Sequence, residues 1–250
     1  MLRKRLVTVL TFNQGVLFRT KLFKPDYRYT TNFVDTWSID EVVALDVTRS
    51  VDDNTVDRGP FHEVLRGLAR RCFVPLAAGG GVRNLDDVRR LLGLGADKVI
   101  VNSGAIERPE LITEIAESFG AQCVVLSIDA QREGSGYAVR TRCGTTATGL
   151  SPEIWARRGV EFGAGEILLT SIDRDGSLDG YDLELCRRVA DNVDVPVLIS
   201  GGAGSWKHFV EGIERGGASA VCTSNIFHFT EASLKSAKAF MAKAGIMVRL

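Results

Sequence analysis

Pro75-Leu-Ala-Ala-Gly-Gly-Gly-Val-Arg83 reads as a short apolar strand, three glycines and the approach to an amphipathic helix opening at Leu85. The pattern returns 121 residues later as Pro196-Val-Leu-Ile-Ser-Gly-Gly-Ala-Gly204, followed by a helix from Trp206. Each copy runs on to Gly-Ala and a second apolar strand ending in small polar residues, Asn102-Ser103 in one and Ser224-Asn225 in the other. A step of about half the 250 residues is too long for a solenoid repeat and suggests two fused half-domains, about 1–120 and 121–244.

Outward from these stretches the chain alternates apolar strands with amphipathic helices. Strands are expected at 5–10, 41–48, 75–79, 98–101, 122–129, 166–171, 195–200 and 220–224. Helices are expected at 60–71, 85–94, 109–119, 151–161, 182–192, 206–215 and 231–244, with Ser151 as an N-cap and Pro152 in the first turn. Continuous apolar strands of this kind pair in parallel beneath helices on the outside. The expected fold is a single α/β domain, a (β/α)8 TIM barrel with half-barrel internal duplication. A doubly wound sheet fits the alternation but leaves the half-length repeat unexplained. Residues 24–38 and 49–59 are expected to loop, the former with at most a short helix. Val16–Arg19 is expected as a small extra strand, and 137–149 as a polar excursion in the form of a hairpin.

Composition narrows the function. Hydrophobic residues make up 45% and charged residues 25%, which supports a full core, while a formal net charge of zero gives no field to recruit nucleic acid or an anionic membrane. Five scattered cysteines without a C-x-x-C argue for reduced thiols and a cytoplasmic protein, and against zinc. No secretory signal is expected in the basic start of the chain, and no apolar run is long enough to span a bilayer. His62, His208 and His228 lack metal-ligand spacing, so neither metal nor other cofactor is expected.

Barrel chemistry belongs at the C-terminal ends of the strands. There, Gly201 and Gly202 with Ser224 and Asn225 form one candidate anion cradle, and Gly80 and Gly81 with Asn102 and Ser103 form its repeat image. Two cradles across one mouth imply a ligand with a phosphate at each end; the bland alternative is that the glycines only relieve tight turns. Asp129, ending a strand among apolar neighbours, is the leading acid/base candidate, since desolvation raises a carboxyl toward a useful range. Asp175, in the loop after Thr170, is a second candidate that serves equally well as a loop cap. The repeat image of Asp129 is Thr11, which has no proton to exchange near neutrality. At the opposite end, Arg5, Glu41, Lys98 and Glu166 each open a strand, and four such charges suit a salt-bridged floor.

Taken together, Leu76–Arg83, the run from Gly165 to Gly176, Gly180-Tyr-Asp182, Ser200–Gly204, His208-Phe209, Ile226–Phe229 and Val248-Arg-Leu250 resemble the cyclase subunit of imidazole glycerol phosphate synthase over nearly the whole chain. The resemblance implies a bisphosphorylated ligand, with Thr170 and Gly176 beside it, and a class I glutaminase partner at the N-terminal face. It also implies an ammonia gate formed by Arg5, Glu41, Lys98 and Glu166. The family's two catalytic aspartates match Asp129 and Thr11, so one is replaced. Its lysine after the first strand is Arg19 here, the segment from Phe23 to Glu41 is short, and its Gly-rich basic stretch has become Arg140–Thr146. The expectation is a divergent paralogue with impaired cyclase/lyase chemistry. It would deliver ammonia to another acceptor, such as a sugar amidotransferase building acetamidino groups on a surface sugar. A still active histidine-pathway cyclase and the sister isomerase are the competing readings.

Overall fold

The structure, a computed structural model, describes residues 3–28, 39–49, 56–224 and 231–249. Eight parallel strands close into a barrel: β1 (Arg5–Asn13), β4 (Glu41–Asp46), β5 (Leu76–Gly79), β6 (Lys98–Val101), β7 (Val124–Glu133), β10 (Glu166–Ser171), β11 (Val197–Ser200) and β12 (Ala220–Thr223). Each pairs with the next in that order, β7 joins β10, and β12 returns to β1, with Arg5 beside Ala220. Helices α1 (Gly59–Ala69), α2 (Leu85–Gly93), α3 (Ser103–Glu107), α4 (Glu110–Phe119), α5 (Pro152–Glu161), α6 (Leu183–Ala190), α7 (Trp206–Glu214) and α8 (Glu231–Lys243) follow strands along the chain. The chain is thus the (β/α)8 barrel that its alternating pattern predicts.

Alternation along each strand divides the core in two. Val7, Val9, Val43, Ile100, Val125, Leu168, Leu198 and Cys222 point inward and fill the barrel. Leu6, Leu10, Phe12, Val42, Val99, Leu126, Ile167 and Val197 point outward and pack beneath the helices with Phe61, Leu65, Trp155 and Phe209. Both faces are dry, which is why these strands read as unbroken apolar runs. Helix starts are fixed locally: Ser151 accepts from the Ile154 amide, as its position before Pro152 suggests, and Asn84 accepts from the Asp86 and Asp87 amides. Such caps contribute about 1 kcal/mol each.

Four short strands lie outside the barrel order. β2 (Val16–Lys21) folds back on β1 and pairs with β3 (Lys24–Arg28), while β8 (Gly136–Thr141) folds back on β7 and pairs with β9 (Thr146–Ala147). The hairpin expected over 137–149 is therefore present. The expectation of a loop from residue 24 is corrected, because 24–28 form a strand. Pro25 and the polar composition hide it, and pairing with β2 supplies what local propensity does not. Helix α3, which opens at Ser103, is not among the helices the sequence pattern predicts. Asn225, His228, the Ile226–Phe229 stretch, and residues 29–38 and 50–55 of the expected loops lie outside the described residues.

The two fold-back strands occupy equivalent places, four barrel strands apart. β1 pairs with β12 only through Thr8, and from Thr11 upward β2 takes that edge, with Thr11 opposite Phe18. β7 pairs with β6 only through Leu126, and from Asp129 upward β8 takes that edge, with Asp129 opposite Arg140. Among the described residues no helix is long and apolar enough to cross a membrane.

Candidate active site

Asp129 is the last inward-pointing residue of the barrel portion of β7. It is 9% exposed, and its carboxylate accepts a hydrogen bond from the Asn102 amide at 2.8 Å. Burial pushes its carboxyl up to about 7, the Asn102 donor opposes that rise, and the negative charge of Asp175 adds to it. A carboxyl with that value is populated in both protonation states near neutrality, as a proton-transfer group requires. The Asn102 Oδ1 is buried without a partner among the described residues.

Thr11 holds the corresponding place on β1, half-buried, and its hydroxyl donates to the Phe18 carbonyl at 2.7 Å. Its one proton is therefore used within the β1–β2 hairpin. Asp175, buried in the loop after β10, accepts from the Thr20 hydroxyl and the Phe23 amide, both at 2.9 Å. Burial raises its pKa, and those two bonds and the charge of Arg19 hold the rise in check. Asp175 thus ties the β2–β3 turn down across the mouth. That turn has Leu22 and Phe23 at φ of 50° and 60°, a left-handed pair that β-hairpins usually assign to Asn-Gly.

The second cradle is an open pocket lined by Arg19, Gly176, Leu178, Ser200, Gly201, Gly202, Ala203 and Ser224. Thr170 sits beside it on β10, in register with Ser200 on one side and Asp129 on the other. Gly202 has φ +103°, and a Cβ there would come within 2.2 Å of the Gly180 carbonyl oxygen, so only glycine lets the backbone line the pocket.

The first cradle is built differently. Gly81 has φ +67°, and the space its side chain would take is filled by the Arg58 guanidinium. Arg58 is anchored by Asp46 at 2.5 Å, and Asp46 in turn accepts from the Thr48 amide and hydroxyl. Gly80 lies against the Asp46 carbonyl. On the other side, the Ser103 hydroxyl accepts from the Arg142 amide at 3.0 Å. Neither Arg58 nor the closeness of β8 was singled out from the sequence. A register count would have found the latter: a two-residue turn at Gly134-Ser135 sets Arg140 opposite Asp129.

At the other end of the barrel the four strand-start charges close a ring. Arg5 pairs with Glu41 at 2.5 Å and with Glu166 at 2.9 Å, and Lys98 pairs with Glu41 at 2.9 Å and with Glu166 at 2.7 Å. Burial works against the Arg5 charge, but Glu41 and Glu166 outweigh it and the guanidinium is held more firmly protonated. The ring is neutral, with two partners for each member, which is how charges survive at a nearly dry barrel floor.

A closed eight-stranded parallel barrel with helices outside it and polar groups gathered at the C-terminal mouth defines a class, the TIM-barrel proteins. The model of the family described as "Histidine biosynthesis protein" matches residues 7–233, and the chain belongs to that family. Its members are isomerases and cyclases of the histidine pathway.

Proposed function

We propose that this barrel is a cyclase-type subunit that binds a bisphosphorylated ligand across its mouth. It receives ammonia from a class I glutaminase docked at its N-terminal face. The carrying observation is the neutral ring of Arg5, Glu41, Lys98 and Glu166. An isomerase needs no polar closure at this end, whereas a passage for a small polar molecule does. Above the ring, Val7, Val9, Val43, Ile100, Val125, Leu168 and Leu198 make the inward lining apolar, with the Ser127 hydroxyl one step below Asp129, a largely dry route that keeps ammonia unprotonated. Once at the mouth, ammonia meets the ligand beside a carboxyl that takes and returns protons near pH 7.

The chemistry of the histidine-pathway cyclase calls for a second acid at residue 11, and Thr11 spends its hydroxyl on Phe18. Loss of one proton-transfer group lowers a rate by about 10²–10⁴. The same observation supports the second reading, in which ammonia goes to another acceptor, through a sugar amidotransferase that modifies a surface sugar. The deciding experiment measures ammonia-dependent turnover of the family's bisphosphate substrate by wild type and Thr11→Asp, together with growth complementation of a histidine auxotroph. Turnover that appears only with Thr11→Asp supports the impaired-cyclase reading. Full wild-type turnover and complementation overturn it in favour of an ordinary cyclase. Failure to bind any class I glutaminase in a pull-down removes the ammonia route.

A further inference from the structure

Arg140 takes no part in the chemistry above. It stands directly opposite Asp129 in the antiparallel β7–β8 ladder, so the two side chains leave the same face. Their neighbours Ala130 and Val139 pack in the outer core, which fixes the Asp129–Arg140 face as the one turned into the mouth. Among the described residues, Arg140 Nε is buried without a hydrogen-bond partner, and no carboxylate pairs with the guanidinium. Buried donors are seldom left so. The second cradle also receives an arginine from a fold-back strand, one residue out of register with Arg140, since Phe18 stands opposite Thr11. β2 takes over the β12 edge of β1 and brings Arg19 to the pocket lined by Gly202 and Ser224. β8 takes over the β6 edge of β7 in the same manner and is tied to Ser103 through the Arg142 amide, so it brings Arg140 above Asn102 and Ser103.

We propose that Arg140 is an anion-binding residue of the first cradle, gripping a phosphate-like dianion from above while the loop amides of Gly80 and Gly81 hold it from below. Arg58 is already committed to Asp46 and packs against Gly81, so it shapes the cradle and leaves the direct grip to Arg140. The inference rests on the bisphosphate reading of the mouth and deepens it: the two ends of the ligand are held by one arginine each, both delivered by a strand that folds back over the barrel.

The test uses isothermal titration with two probes, inorganic phosphate and fructose 1,6-bisphosphate, on the full chain. Arg140→Met is expected to weaken the bisphosphate by about tenfold or more, as loss of a charge-assisted contact does. It is also expected to reduce inorganic phosphate from two sites to one. Arg140→Lys keeps the charge and is expected to restore most of the affinity. Arg157→Met, on the exposed face of α5, is expected to change nothing. Unchanged binding in a folded Arg140→Met protein overturns the Arg140 inference and leaves the bisphosphate reading standing. Weakened binding with a lowered melting temperature, unrescued by lysine, assigns Arg140 a packing role and also overturns it. Absence of any binding by wild type fails the bisphosphate reading itself, and the Arg140 inference with it.

Discussion

The Asn102 amide and the Asp129 carboxylate meet at 2.8 Å, and they act on the same proton as opponents of the surrounding burial. Burial favours the neutral acid; the amide donor favours the anion. Asn102→Ala therefore moves the Asp129 titration to higher pH. Carbon-13 NMR of the side-chain carboxyl reads the shift directly, and a downward shift contradicts the hydrogen bond as drawn.

Asp129 also makes stability depend on pH. Its folded-state pKa, about 7, lies above the ordinary 3.8, so the folded chain binds a proton more tightly than the unfolded one. Stability from this group is complete below pH 4 and is lost as pH rises to about 7, an amount on the order of 4 kcal/mol. Asp129→Asn, which cannot ionise, is expected to gain on wild type steadily from pH 4 to pH 7 and hold its lead above that. Urea unfolding at pH 4, 6 and 8 measures the difference; a constant gap removes the desolvation argument.

At the floor, Lys98 joins Glu41 to Glu166. Lys98→Met leaves two carboxylates sharing Arg5 in a nearly dry layer. The expected loss is about 3–5 kcal/mol, the cost of breaking a buried ion pair from one side. The double change Lys98→Met, Glu166→Leu leaves the neutral Arg5–Glu41 pair and is expected to recover part of it. Denaturant midpoints at low and high salt check this, and a loss under 1 kcal/mol marks the ring as solvent-screened.

Gly202→Ala drives a methyl toward the Gly180 carbonyl at a φ that alanine resists. Phosphate affinity at the second cradle is expected to fall with only local structural damage. Gly67, inside α1 with nothing within 4 Å of a new Cβ, is the control: Gly67→Ala stabilises by about 0.5–1 kcal/mol and leaves binding alone. Melting curves and phosphate titration separate the two.

Thr11→Asp sets a carboxylate against the Phe18 carbonyl that now accepts the threonine hydroxyl. Loss of that bond costs about 1 kcal/mol, and the repulsion holds the new acid above the usual carboxylate range. Any cyclase turnover gained is therefore expected to rise with pH as the new group ionises, with the midpoint above that of a free aspartate. A pH–rate profile flat from pH 5 to 8 removes the residue 11 explanation.

Where local pattern and tertiary role agree, the sequence is a good guide. Strands such as 166–171 are apolar because both faces are buried, and charges at their first residues stand out against that background. Asp129 is legible for the same reason. Features that depend on how strands meet were harder to read. Arg58 fills the Gly81 niche only because Asp46 turns outward beneath it, and Lys24–Arg28 is a strand only because β2 is there to pair with. Arg140 lay in a stretch that looked merely divergent, and its meaning comes from a register set by a turn five residues away.

The floor ring bears on how the two halves of the chain recognise each other during folding. Arg5, Glu41 and Lys98 come from the first half and Glu166 alone from the second. Two copies of an N-terminal fragment ending near residue 120 would bring a surplus of cations to the closing seam, and two copies of the remainder a pair of unmatched carboxylates. Only the mixed pairing is neutral. Expressed as separate fragments, the halves are thus biased toward complementing each other over self-association, so the ring doubles as an address label for assembly.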